Sequence, residues 1–145
     1  MEQLEQIRTL TSSDFVALAP FIAKSVPMKW KYAIGNSNNR YQHMVVKSGQ
    51  GLAGAALRLG RWVKLDDTHP KLVQERRECP VMLAEQLQAA AVFPLVINDT
   101  SLMSGLLYIG KRTAIGYEED EIRAAQESLR ALMSSMAEHN KEMTK

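Results

Sequence analysis

Hydrophobic and polar positions change period several times along the chain, and each change marks an element. Ser12, Ser13 and Asp14 offer capping oxygens ahead of Phe15, Leu18, Phe21 and Ile22, whose three- and four-residue spacing predicts a helix ended by Pro27. From Met28 the period drops to two. Met28, Trp30, Tyr32 and Ile34 alternate with Lys29 and Lys31, which predicts a strand with one buried face, followed by a polar turn from Gly35 through Asn36 to Asn39. A second strand is expected near Met44 to Lys47, and it runs into Gly49-Gln50-Gly51-Leu52-Ala53-Gly54. Ala55, Ala56 and Leu57 then continue as a short helix closed by Gly60.

Trp62 to Leu65 reads as a third strand, after which Asp66, Asp67 and Thr68 stand where they can cap a polar helix carrying Lys71 to Glu78. Pro80 restarts the chain as a short helix with Val81, Met82, Leu83 and Leu87 on its apolar side. Ala91 to Ile97 and Leu102 to Ile109 are apolar segments joined by Asn98, Asp99 and Thr100, a pattern that predicts an antiparallel hairpin at the centre of a sheet. From Tyr117 to about Met143 the period returns to that of a helix. Glu118 to Glu121 complement its N-terminal dipole, and Ile122, Ala125, Leu129, Leu132, Met133 and Met136 form one stripe. The alternation of helices and strands, without repeats or linkers, describes one α+β domain over residues 1–145.

Composition narrows what this domain does. With 46% hydrophobic residues in 145, the chain has material for a core; 18 Lys and Arg against 16 Asp and Glu leave no basic surplus of the kind nucleic acid demands. The start, MEQLEQIRTL, lacks the order of a secretory signal, and the best apolar runs are nine residues long and interrupted by proline, where a bilayer span takes roughly 20. A cytoplasmic protein without a membrane anchor is expected. Cys79 is the single cysteine, and His43, His69 and His139 are dispersed, so neither a disulfide nor a metal or haem site is expected. No nucleophile–base grouping or close carboxylate pair appears, and the chain is expected not to be an enzyme and to carry no cofactor.

The glycine-dense stretch satisfies G-x-G-x-x-G between a strand and a helix, with Asp66 at the end of the next strand. The segment between those strands is too short for a comfortable parallel crossover, and the rest of the chain too short for two mononucleotide halves, which argues against a dinucleotide site. The physical content of the glycines remains. A glycine turn opening a helix leaves the N–H groups of Leu52, Ala53 and Gly54 without intrahelical acceptors, and Pro80 at a helix start does the same for Val81, Met82 and Leu83. Neither start carries Lys or Arg in its first turn. That suits a small, singly charged anion better than phosphate, while leaving nitrate, nitrite, chloride and a small carboxylate open.

Trp30-Lys31-Tyr32, Gly35-Asn36, Asn39-Arg40-Tyr41, the Gly49 to Gly54 stretch, Pro80, Pro94-Leu95-Val96 and Gly105-Leu106-Leu107-Tyr108-Ile109-Gly110 together resemble a GAF domain over nearly the whole chain. The segment from Trp30 to Tyr41 is similar to the stand-alone nitrate receptors of the NreA type. The resemblance implies a GAF fold, with a central antiparallel sheet, helices packed on it and a long C-terminal amphipathic helix. It also implies nitrate held by main-chain N–H groups at Leu52, Ala53 and Val81, beside Pro80 and an aromatic wall that includes Trp30. The implied role is sensing, with a sensor histidine kinase as partner and a homodimer through the C-terminal helix as a further expectation. A GAF module binding another small anion or small molecule, and a GAF interaction module without ligand, are the alternatives. Cys79 departs from the pattern, which has an aromatic residue before the proline. A lone cysteine cannot supply the redox chemistry of a GAF methionine-sulfoxide reductase, and the following proline stands where a bilin-binding pattern has histidine.

Overall fold

The computed structural model describes residues 2–23, 25–96, 103–113 and 116–143, with side chains for all of these except 103 and 135–143. Its middle layer is a five-stranded sheet: β1 (Phe15–Pro20), β2 (Tyr32–Ile34), β3 (Val63–Leu65), β4 (Ala89–Val96) and β5 (Met103–Lys111), in the order β2-β1-β5-β4-β3. Every pairing is antiparallel, so the parallel crossover of a dinucleotide fold is absent from the described sheet.

Alternation along the strands divides the core in two. Phe15, Ala17 and Ala19 of β1, Ala90 and Val92 of β4, and Leu106 and Tyr108 of β5 face a cluster that includes α2 (Gly51–Leu59) and α4 (Pro80–Glu85). Val16, Leu18, Ala91, Phe93, Leu107 and Ile109 face the opposite cluster, with α1 (Glu2–Leu10) and α5 (Glu119–Met143). The short helix α3 (Leu72–Arg77) precedes α4 at the edge of the first layer.

Phe15–Pro20 is a strand, where the spacing from Phe15 to Ile22 predicts a helix. Phe15 to Ala19 are all buried because helices cover both faces of the sheet, so a continuous apolar run replaces the alternation of a half-exposed strand. Phe21 and Ile22, which the helix reading buries, are exposed. Residues 2–10, which the sequence pattern left without an element, form α1, with Leu4 and Ile7 buried between the sheet and α5.

The strand expected over Met28 to Ile34 is shorter and changes face. Only Tyr32–Ile34 pairs in the sheet. Met28 and Trp30 belong to the α2 side, whereas Tyr32 and Ile34 pack toward the α5 side. Met44 to Lys47 forms no strand of its own; a single bridge joins Val45 to Lys29. Asp66 closes its own turn, accepting from the Thr68 amide at 3.0 Å, and no side chain caps α3 at Lys71.

The β4–β5 hairpin runs in register from Ala89 opposite Lys111 to Leu95 opposite Gly105. Its expected turn at Asn98 to Thr100 lies outside the described residues, as does the side chain of Met136. α5 places Ile122, Ala125 and Leu132 in the core, with Leu129 and Met133 packed against it. Its start is fastened to the sheet at the end of β5. Lys111 Nζ donates to Glu121 Oε1 at 2.8 Å and to the Gly116 carbonyl at 3.0 Å, and lies 4.7 Å from the Tyr117 ring centroid. The Tyr117 hydroxyl shares a 2.6 Å hydrogen bond with Ser13.

Burial alone raises the pKa of Glu121, but the hydrogen bonds from Lys111 and the Glu118 amide and the Lys111 charge outweigh it and hold the carboxyl below its ordinary value. A depressed folded-state pKa contributes stability above the unfolded value and loses it as pH falls through the folded one. Glu121→Gln is therefore expected to lower stability by about 1 kcal/mol at pH 7, as befits a half-buried ion pair, and to differ little from the parent at pH 3. Urea unfolding at the two pH values measures both.

Candidate functional site

The beginnings of α2 and α4 lie against each other because glycine occupies the point of contact. Gly51, the first residue of α2, has φ of +68°, and a Cβ there would stand 2.6 Å from the Glu78 carbonyl oxygen, two residues ahead of Pro80. Gly54 makes a comparable approach one turn on, where a Cβ would stand 2.1 Å from the Lys47 carbonyl oxygen. Backbone therefore meets backbone on both sides of the first turn of α2.

Cys79 joins the two starts chemically. Its Sγ accepts from the Leu52 amide at 3.3 Å and donates to the Glu75 carbonyl at 3.3 Å. Burial pushes the thiol pKa up, only partly offset by the Leu52 amide, so the group stays protonated and inert as a nucleophile. The Leu52 amide, expected to be free for a ligand, is thus already engaged. The first bonds inside the two helices are Gly54 N–H to Gln50 O and Leu83 N–H to Cys79 O. Ahead of them, the Ala53 and Val81 amides have no acceptor among the described residues.

The far end of α4 is pinned separately. Glu85, almost fully buried, accepts from the Ser37 amide at 2.7 Å and from Arg112, which also donates to the Gly35 carbonyl at 2.8 Å. This clasp ties α4 to the loop after β2 and to the end of β5, and so fixes the direction of the helix start at Pro80.

Between the two starts and the sheet lies a cavity of about 290 Å³. Trp30, Leu52, Ala53, Pro80 and Val81, the residues singled out from sequence, all line it. Its size is at the lower end of the roughly 300–1,000 Å³ of cavities that take drug-sized molecules, which suits a small ligand. Trp30 is buried and sets its ring edge-on to Tyr108, centroids 5.4 Å apart at 85°.

Tyr108, which comes from the sheet, and the segment from His43 to Lys47, which forms another wall with His43 and Lys47 exposed, are not among the residues expected from sequence; Cys79, which stands where the family pattern has an aromatic residue, closes one side. The two basic residues stand outside the first helical turns, where a search for cations near the helix starts does not look. The alternation Leu106, Tyr108 in β5 does carry a signal that both face the same way; which helices cover that face is a tertiary fact.

No family model and no curated protein matches the chain. Among solved structures, it is similar to an NreA protein of Staphylococcus aureus mutated in its nitrate-binding site, at 31% identity and a TM-score of 0.64 over 77% of this chain and 81% of that one. The chain belongs to the NreA-type GAF family. More distant likenesses show the same fold. The GAF domain of a two-component sensor histidine kinase from Bacillus halodurans matches at 16% identity, covering 99% of this chain and 92% of that one, with a TM-score of 0.73. The free methionine-R-sulfoxide reductase of Neisseria meningitidis matches at 15% identity, over 89% of this chain and 70% of that one, with a TM-score of 0.66. Among the described residues of this GAF domain, no group of three or more His, Cys, Asp and Glu side chains is placed to hold a metal ion, and no helix is long and apolar enough to cross a membrane.

Gly60 offers a control for the contact that unites the site. Its φ of +67° matches that of Gly51, but a Cβ there would meet nothing within 4 Å. Gly60→Ala is expected to cost about 1 kcal/mol for the left-handed backbone alone. Gly51→Ala should cost at least about twice that, because overpacking against backbone adds to it. Equal losses in chemical denaturation would show that the Gly51 contact does not hold the two starts together.

Proposed function

We propose that this GAF domain is a cytoplasmic nitrate sensor, and that nitrate binds in the cavity between the starts of α2 and α4. One observation carries the reading: in a chain of the NreA-type family, Ala53 and Val81, from two separate helix starts and with amides that have no acceptor among the described residues, both line one small cavity that Trp30 lines as well. Main-chain N–H groups at a helix start favour negative charge through both their free hydrogens and the helix dipole. With Leu52 engaged by Cys79, its contribution to the ligand passes to its side chain, which helps to exclude water, as does Pro80. Neither first turn contains a cation, and His43 and Lys47, the basic residues of the cavity wall, are exposed; this favours a weakly hydrated monoanion over phosphate.

In this reading, nitrate joins α2 to α4 and stabilises the arrangement in which both point at the anion. A bound state can bias a partner only through its differential affinity for two conformations, so signalling is a second step beyond binding. The proposed partner is a sensor histidine kinase restrained by the ligand-free protein. The 25-residue α5 is the element offered for pairing with a partner helix or with a second copy of the chain.

Isothermal titration with nitrate, nitrite, chloride and phosphate tests the binding step. A saturable nitrate signal, with phosphate at least tenfold weaker, is the expected outcome. Absence of saturable nitrate binding would contradict the proposal. A nitrate response in kinase autophosphorylation, seen only when the protein is present, tests the signalling step.

A further inference from the structure

The backbone donors are not the only unpartnered polar groups on residues that line the cavity. Tyr108, on the central strand β5, is 1% exposed, and its hydroxyl has no hydrogen-bond partner among the described residues. The residue nevertheless lines the cavity, together with Trp30, Ala53 and Val81. A buried hydroxyl with no partner is a standing penalty to the folded protein, whereas phenylalanine would fill the same apolar surroundings without it.

The ring packs between aromatic neighbours. It stands edge-on to Trp30 on one side and to Phe15 on another, with centroids 5.4 and 6.1 Å away. The neighbouring thiol is occupied, since Cys79 accepts from Leu52 and donates to Glu75. Burial also pushes the Tyr108 pKa well up, so the oxygen keeps its proton and remains a donor.

We propose that the Tyr108 hydroxyl is a direct ligand donor, rising from the sheet to meet the same anion as the Ala53 and Val81 amides. This rests on reading the cavity as an anion site, and it adds a side-chain determinant of specificity to it. The three donors are neutral and come from three elements, β5, α2 and α4. A small planar oxyanion presents separate oxygen atoms to donors set apart around a cavity, whereas a halide accepts from all sides through one atom and satisfies every donor only where they close on a single point. A site whose donors are spaced for several oxygens leaves some of them unpaired on chloride, so Tyr108, as a third donor, favours oxyanions over chloride.

The test is Tyr108→Phe, compared with the parent by titration with nitrate, nitrite, formate and chloride, together with thermal unfolding of the ligand-free proteins. Loss of one hydrogen bond to an anion predicts about a tenfold fall in nitrate affinity. The ligand-free unfolding midpoint is expected to stay level or rise, because the variant removes an unpartnered hydroxyl. Chloride binding, expected to be weak in the parent, should change least.

Equal nitrate affinity in the two proteins would overturn the role of Tyr108 while leaving the nitrate reading intact. No nitrate binding by the parent, with formate or nitrite bound and weakened by the substitution, would overturn the nitrate reading and support Tyr108 as an oxyanion donor. No binding of any of the four by the parent would overturn both. A clear fall in the ligand-free midpoint, or failure of the variant to fold, would mean that the hydroxyl is already satisfied within the fold, and would overturn the proposal.

Discussion

The contact of Gly51 with the Glu78 carbonyl, backbone against backbone, is the constraint on which the site depends. A side chain at position 51 would separate the first turn of α2 from the segment entering α4. Without that approach, the Leu52 amide could not reach the Cys79 thiol, and the residues of the two helix starts would not line one cavity. The left-handed backbone of Gly51 and the thiol bridge follow from the same packing requirement. Glu85, clasped by Arg112 and Ser37, fixes the other end of α4, so this helix is held at both termini.

The sheet supplies the rigid half of the cavity. Because α1 and α5 cover one face while α2 and α4 cover the other, residues two apart in β5 serve the same layer, and Tyr108 stands on the α2 side with Leu106. Burial on both faces also makes the central strands read as continuous apolar runs. The attachment of α5 through Lys111, Glu121, Tyr117 and Ser13 connects the long helix to the ends of β1 and β5. This provides a physical link between the sheet that carries Tyr108 and the helix proposed to meet partners.

The legible parts of the sequence were those in which local chemistry and tertiary structure agree. The glycine stretch before α2, Gly60 ending it in a left-handed turn, Pro80 opening α4 and the acidic start of α5 each carry their own local reason, and each element appears where that reason puts it. Phe15 to Ile22 is ambiguous in sequence because a strand buried on both faces and a buried helix present the same apolar string, and only the exposure of Phe21 and Ile22 separates them. The change of face between Trp30 and Tyr32 breaks a period of two that looked unbroken in sequence. In the cavity lining, Leu52, Ala53, Pro80, Val81 and Trp30 are legible from helix-start chemistry and family resemblance. The engagement of Leu52 by Cys79 was not, since it pairs residues 27 apart through a side chain with no motif of its own.

Backbone amide NMR during a nitrate titration tests the central claim most directly, because it observes the donors themselves. The Ala53 and Val81 amide signals are expected to shift together with one saturation curve, while amides on the α1 and α5 side of the sheet move little. Saturable shifts confined to one helix start, or centred away from both, would contradict the convergence of the two on a single anion.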